Sequence, residues 1–454
     1  MKTRLLAACA TVLALSGCGW SGADATTSGS GGTIEYWLWD SAQQPGYQKC
    51  ADAFARENPG LRVHISQYGW DVYWQKLTAG FIADTAPDVF TDHLSKFAQF
   101  VDLEVLRPLD DLDIADSDYQ PGLAELWKGR DGKRYGTPKD WDTIAMFYNP
   151  ASLSAAGIDP ASLRNLSWNP VDGGTFEKTI AHLTVDVNGV RGDEPGFDKS
   201  RVRQYGFGSD GAGGAGWGQT QWSAFTGSAG WQATDRNPWG SRFNLDQPAF
   251  QDTLKWYFGL SRKGYMPTFA EIGGNNPVGP DKQIQSGIAA MALSGSWMIS
   301  TFSGLTDAAG KKMNIGIAPT PIGPSGKRAS MFNGLADSLT TLSRQPANAA
   351  KWVRFLAGPQ CQAIIGRSGV VFPARPEATR LAIRYNRDER KLDVSPFTDQ
   401  VTQKTTFLFP VTTNAADITA LMIPRMDALY IGDADVSSMT TLNNQLNDLF
   451  RVAG

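Results

Sequence analysis

A turn signal, a charged and aromatic trio and a strand meet between Tyr135 and Pro150, in the stretch YGTPKDWDTIAMFYNP. Gly136 and Pro138 punctuate its start, Lys139, Asp140, Trp141 and Asp142 follow, and Ile144 to Tyr148 reads as a strand that Asn149-Pro150 ends. A charged, aromatic corner feeding a buried strand suits a chain that passes from one lobe to another at the edge of a cleft. Taken alone, an ordinary loop running into an ordinary strand reads the same way. Paired-carboxylate catalysis is a poor fit: Asp140 and Asp142, or Asp110 and Asp111, are close in sequence, and nothing fixes an acid and a base at opposed positions. Three scattered histidines and no ligand-spaced cysteines disfavour a metal site.

The surrounding elements decide what that corner serves. Thr33 to Trp39 alternates as a strand ending at Trp39-Asp40, Tyr47, Cys50 and Phe54 share a helical face stopped by Asn58-Pro59-Gly60, and Leu61, Val63 and Ile65 alternate again. Trp70, Trp74, Leu77 and Phe81 form the core stripe of a second helix, leaving Asp71 and Tyr73 off the stripe to face a cleft. Asp88-Val89-Phe90 is a short strand closing on Thr91-Asp92-His93. Strand, helix, strand, helix, strand is the pattern of a parallel sheet with covering helices, whose ligands sit beyond the carboxyl ends of the strands. Asp40, Asp92 and His93 occupy those ends.

From Leu153 to Gly218 the texture is loop-rich, and GFGSDGAGGAGWG (206–218) contains the spacing GxGxxG. More glycine follows it in place of a helix, so a phosphate-cradling loop is not expected. Trp217, Trp222 and Trp231 crowd this stretch with few aliphatic partners, which argues against a core role. Further on, Ile288 to Leu293 reads as a buried strand from which Ser294-Gly295-Ser296-Trp297 turns directly, placing an indole at a strand end. Ile315 to Ala318, then Pro319-Thr320-Pro321, and Val370 to Pro373 read as extended connections, with helices between and after them.

The beginning of the chain speaks to its address. Lys2 and Arg4, an apolar run Leu5 to Leu15 and small residues make an export signal, the run being too short for a stable span of about 20 residues. Leu15-Ser16-Gly17-Cys18 resembles the lipobox of bacterial lipoproteins, in which the cysteine becomes the lipid-bearing N-terminus; a soluble signal cut elsewhere is the alternative. The Ser-, Thr- and Gly-rich segment after Cys18 then acts as a flexible tether. Cys50 and Cys361 remain in the mature body, either as one disulfide or as two unpaired core thiols. A formal net charge of −3 gives nothing basic to call for nucleic acid, and the informative excess is 15 tryptophans and 48 glycines. At 454 residues two domains are expected.

In their order, AFARENPGLRVHI, APDVF, YGTPKDWDTIAMFYNP, SGIAAMALSGSW, NIGIAPTPIG and KWVRFLAGPQCQAIIG make the chain resemble the extracellular solute-binding proteins of ABC transporters, specifically the carbohydrate-binding branch that includes maltose-binding protein. These segments span most of Thr33 to Gly369. The resemblance implies an α/β, two-lobed periplasmic-binding-protein-like fold, each lobe a β-sheet covered by helices, joined by a multi-crossing hinge near Pro138 to Asp142, Ala318 to Pro321 and Val370 to Pro373. Residues 1–17 would be signal, 18–32 lipidated cysteine and tether, 33–139 with 319–370 the N-terminal lobe, and 140–318 with 371–454 the C-terminal lobe.

A sugar ligand needs hydroxyl partners and flat apolar platforms. The resemblance accordingly implies stacking on Trp297, with Trp222, Trp217 and Trp141 as further stackers and Trp39 and Tyr73 divided between stacking and core. Asp40, Asp92, His93 and Asp140 would meet hydroxyls, Arg375 would donate to them, and Asn333 and Gly334 belong to the same binding set. No cofactor or catalysis is expected. The partners implied are a carbohydrate, ABC permease subunits and the membrane through the lipid anchor, with the protein a monomer. The rivals are the same fold binding a polyamine, a glycerol phosphate or a peptide, a sensor without a permease, and a secreted carbohydrate-active enzyme.

Overall fold

The computed structural model of the chain describes residues 32–210, 216–273 and 278–452. The export signal, Cys18 and the tether up to residue 31 lie outside the described residues, as do positions 211–215 of the glycine-rich stretch.

Two mixed sheets build the molecule. The first begins with β1 (Gly32–Leu38), which buries Ile34, Tyr36 and Leu38 on one face as its period-2 pattern requires. It pairs in parallel with β2 (Leu61–Gln67) and with β3 (Val89–His93). The helix Gln44–Glu57 connects β1 to β2, burying Tyr47, Cys50 and Phe54, and the helix Trp70–Ile82 connects β2 to β3. Beyond β3 the sheet turns antiparallel, through β10 (Ser330–Leu339) to β4 (Thr137–Asp142) and β11 (Phe372–Pro373). The second sheet runs β6 (Val185–Asp186), β7 (Val202–Gly208), β8 (Ala289–Gly295), β5 (Ile144–Tyr148), β9 (Gly316–Ala318), with only β7 and β8 parallel. A short strand, β12 (Thr406–Leu408), pairs with the start of β10.

The chain crosses between the sheets at Thr143, a single residue separating β4 from β5. Thr143 is buried and its hydroxyl donates to the Phe397 carbonyl at 2.9 Å. Beside it the Ile144 N–H donates to the Ser330 hydroxyl at 2.7 Å, tying this crossing to the one that leads from β9 into β10. Asp140 to Asp142 therefore run on in the first sheet, past the boundary at 139/140 that the sequence suggests. The last part of the chain is shared: the helix Pro376–Asp388 packs on Pro359–Gly366 and β11 of the first lobe, and the helix Ala415–Ile431 packs on Leu94–Asp102.

Cys50 and Cys361 form a disulfide with a Cα–Cα separation of 5.2 Å, joining the helix Gln44–Glu57 to the helix Pro359–Gly366. The stretch 153–218 is less loop-like than its glycines suggest. The helix Gly174–Leu183 and β7 lie in it, and a Cβ on Gly206 would meet the Ile180 carbonyl oxygen at 1.9 Å. Glycine there permits close packing of helix on strand. Among the described residues no helix is long and apolar enough to cross a membrane.

Candidate functional site

A cavity of about 420 Å³ opens between the two sheets, at the carboxyl ends of β1 and β3. That volume lies within the roughly 300–1,000 Å³ of ordinary small-molecule sites. Its wall draws on elements far apart in the chain: Trp39 to Gln43 after β1, Trp70, His93 at the end of β3, Asp140 to Asp142 on β4, and Asn333 and Leu335 on β10. The second lobe adds Asp210, Gln219, Thr220 and Ser296 to Met298.

Trp39 and Trp70 form one aromatic face of the cleft. Their ring centroids are 5.1 Å apart in an edge-on arrangement, and Trp39 is backed by Tyr73 at 5.2 Å and Trp74 at 5.3 Å. Trp70 is 40% exposed, at the first residue of its helix directly after Gly69. Trp297 answers from the other lobe. It follows β8 in a short 3-10 turn, and a Cβ on Gly295 would meet the Trp297 ring at 1.8 Å, so the indole folds back over a position only glycine allows. Trp141 also touches the cavity but is buried, sandwiched between Phe372 at 4.9 Å and Phe332 at 5.8 Å, with its Nε1–H donating to the Thr379 hydroxyl at 3.3 Å. Both of its faces are taken, so it floors the cleft instead of offering a platform.

The polar wall is dominated by carboxylates. Asp140 and Asp142, two apart on β4, point to the same face. Lys139 binds Asp140 at 2.8 Å, also donates to the Gln43 side chain, and lies 4.6 Å over the Tyr47 ring, all of it buried. Burial raises the Asp140 carboxyl above its ordinary range despite Lys139, and the nearby Asp40 charge adds to the rise. Asp142 accepts from Gln219 Nε2 at 3.1 Å and from Asn333 Nδ2 at 3.3 Å. Burial, then the charge of Asp140, push it well upward. Asp40 accepts from the Ala42 N–H and from Gln43 Nε2, both at 2.8 Å, a loop-closing pattern that still leaves its carboxylate on the cavity wall.

His93 sits at the start of the helix Leu94–Asp102, its Nδ1 2.8 Å from the Ser95 hydroxyl and its Nε2 accepting from the Asn333 amide nitrogen at 2.6 Å. Burial, helped by Lys96, pushes it down to about 3, so it is neutral. Its ring orients Asn333, whose amide group then spans His93 and Asp142. Two buried polar atoms on the wall, Asn333 Oδ1 and Ser296 Oγ, have no hydrogen-bond partner among the described residues.

Six positions of the binding set suggested by resemblance lie elsewhere. Tyr73 has no exposed surface and its hydroxyl donates to the Thr91 carbonyl at 2.6 Å; the helix is rotated so that Trp70 takes the cleft and Tyr73 the core. Asp92 is wholly buried behind the wall, bonded to the His93 N–H at 2.7 Å and lying 3.3 Å from the Ser338 hydroxyl. Trp217 stacks on Phe243 and Trp222 packs against Phe250 and Trp231, on the far side of the turn that aims Gln219 and Thr220 at the cleft. Aromatic partners supply the core that aliphatic ones do not. A Cβ on Gly334 would strike Leu123, so its small size serves packing on the first lobe's own loops. Arg375 donates to Asp118 at 2.7 Å and to the Ala357 carbonyl at 2.9 Å, and lies over Tyr119.

A family model described as "bacterial extracellular solute-binding protein" matches residues 49–390. The chain belongs to that family. Among solved structures, UspC of Mycobacterium tuberculosis superposes with a TM-score of 0.69 at 25% identity, covering 92% of this chain and 100% of that one. The GacH receptor of Streptomyces glaucescens, solved unliganded and with acarbose, gives 0.73 at 19% identity over 93% of this chain and 99% of its own. A Listeria monocytogenes ABC substrate-binding protein in complex with cycloalternan gives 0.74 at 17% identity over 92% and 98%. These likenesses show the two-lobed fold of solute-binding proteins. Curated relatives match in part only: a Brucella abortus binding protein is 31% identical over 117 residues, 25% of this chain and 28% of that protein. The lactose-binding protein of Rhizobium radiobacter is 25% identical over 152 residues, 32% of this chain and 35% of its own.

Proposed function

We propose that this protein captures a saccharide in the cleft between its lobes and presents it to an ABC transporter permease. The observation that carries this reading is the pairing of opposed indoles, Trp39 and Trp70 from one lobe and Trp297 from the other, with Asp40, Asp140, Asp142, Asn333 and Ser296 along the same wall. Sugars need both: C–H faces pack on rings and hydroxyls pair with carboxylates and amides. Relatives whose ligands are saccharides, such as GacH with acarbose and the Listeria protein with cycloalternan, support the same class.

Binding works here as a population shift. With crossings at Thr143 and Ser330, an open form would take the sugar on the first lobe's wall. Closure then adds Trp297, Ser296, Gln219 and Asp210, and a ligand favours the closed form only to the extent that it binds that form more tightly. The closed pair of lobes is what a permease would recognise. The family is one of extracytoplasmic binding proteins; a lipid anchor at Cys18, a monomeric state and the absence of catalysis complete the reading.

The test is a thermal-shift panel of mono- and oligosaccharides, polyamines, phosphates and short peptides on the soluble body. A ligand at 100 times its dissociation constant adds about 2.7 kcal/mol of stability, which such a scan resolves. Stabilisation by a saccharide, with no product released from it on long incubation, supports the proposal. A response confined to phosphates or peptides overturns the substrate class, and steady release of cleaved sugar overturns the binding role.

A further inference from the structure

One buried carboxyl of the cleft, Asp142, has only neutral partners. Among the described residues the cleft's first-lobe wall carries the carboxyl groups of Asp40, Asp140 and Asp142 and no lysine or arginine. Lys139 answers Asp140, and its ammonium is further engaged by the Gln43 amide and the Tyr47 ring. Asp142 is answered only by two neutral amides, Gln219 and Asn333, and Asp40 by a backbone N–H and the Gln43 amide. His93 is held neutral. A neutral sugar would leave Asp142 buried with no cation beside it, whereas a cationic ligand would stabilise its ionised form.

Two further features point to the same ligand chemistry. Among the described residues Asn333 Oδ1 and Ser296 Oγ are unpartnered acceptors on side chains 2% and 1% exposed, one from each lobe, facing the same cavity. An ammonium group brings three donors and no acceptor, and can use Asp142 together with such oxygens. The indoles beside them attract a cation as well as the C–H face of a ring.

We infer that the preferred ligand is a saccharide bearing a free, protonated amino group, which Asp142 and Asp140 receive while Trp39, Trp70 and Trp297 hold the ring. This rests on reading the cleft as a saccharide site and narrows it to cationic members.

Calorimetric titration with mono- to tetrasaccharides in three matched forms, free amine, N-acetylated and plain hydroxyl, tests it. Glucosamine and its β-linked oligomers serve as the amine series. The amine form is expected to bind at least tenfold more tightly than its acetylated counterpart at pH 7, and Asp142→Asn to collapse that ratio. Equal or tighter binding of the acetylated or plain form overturns the inference while leaving saccharide binding intact. If saccharides in all forms are silent and a simple diamine binds, the saccharide reading falls and the inference with it. Silence across the entire panel counts against both.

Discussion

Replacing Asp92 by asparagine tests whether the carboxyl at the end of β3 is a neutral part of the first lobe's core. One of its oxygens accepts the His93 N–H at 2.7 Å and the other lies 3.3 Å from the Ser338 hydroxyl, with no cation in contact. Burial raises this carboxyl to about 8, against about 4 in an unfolded chain. Between those values the folded protein keeps a proton that the unfolded chain has released. Stability from this group is therefore greatest below about pH 4 and declines as pH rises toward 8, by at most about 1.4 kcal/mol per pH unit. From pH 5 to pH 7 the decline reaches roughly 2 to 3 kcal/mol. Asparagine reproduces the contacts, its oxygen accepting from His93 and its NH₂ donating to Ser338, and it has no proton to lose. Urea unfolding at pH 5, 6, 7 and 8 should show Asp92→Asn falling less steeply with pH than the native protein. A residual slope stays, because burial also raises Asp337, to about 7, and Asp142. Identical slopes for the two proteins would refute the reasoning, and a change in ligand affinity would show that Asp92 reaches the cleft after all.

Gly295→Ala should displace the Trp297 indole, since the new Cβ would sit 1.8 Å from its ring, and should weaken saccharide binding about as much as Trp297→Ala does; native-like calorimetry for either removes Trp297 as a platform. Trp70→Ala is expected to lower affinity with an unchanged melting temperature, whereas Tyr73→Phe, losing a 2.6 Å bond to the Thr91 carbonyl, should lower stability by about 1 kcal/mol and leave affinity alone. The reverse pattern would place Tyr73 in the site. Converting both Cys50 and Cys361 to alanine should cost roughly 2 to 5 kcal/mol in urea unfolding. Two free thiols titrated in the unreduced, denatured protein would show instead that the bond does not form.

The first lobe's order of strands and helices was legible because each element repeats a simple period: Ile34, Tyr36 and Leu38 alternate, and Tyr47, Cys50 and Phe54 recur at helical spacing. The strand ends put Asp40 and His93 beyond β1 and β3, and both line the cavity. The rotation of the helix Trp70–Ile82 was not legible, since Trp70, Tyr73 and Trp74 fit either of two neighbouring faces. What decides it is the Tyr73 hydroxyl finding the Thr91 carbonyl. Glycine misled in the middle of the chain, because Gly206 looks like a loop residue when its role is to let Ile180 approach β7. The tryptophans of 217–231 misled for a related reason: an aromatic core made with Phe243 and Phe250 has no aliphatic signature. Gln219 and Thr220 had no pattern of their own, and only the turn that buries Trp217 and Trp222 aims them at the cleft.

If the cleft works as proposed, the placement of Asp142 at the crossing would couple recognition to closure. Asp142 sits one residue before Thr143, where the chain leaves the first sheet, and it is held by Asn333 from β10 of the same lobe and by Gln219 from the second lobe. On the proposed population shift, its bond to Gln219 would form as the lobes approach, while its bond to Asn333 lies within one lobe. A ligand that completes the shell of Asp142 stabilises the carboxylate and the interlobe contact together, and so discriminates between open and closed forms through one group. Trp297 adds a second such contact from the end of β8. Closure then depends on what fills the cleft as well as on whether it is filled: a ligand that stacks on the indoles but leaves Asp142 unanswered would bind the first lobe and shift the lobes less.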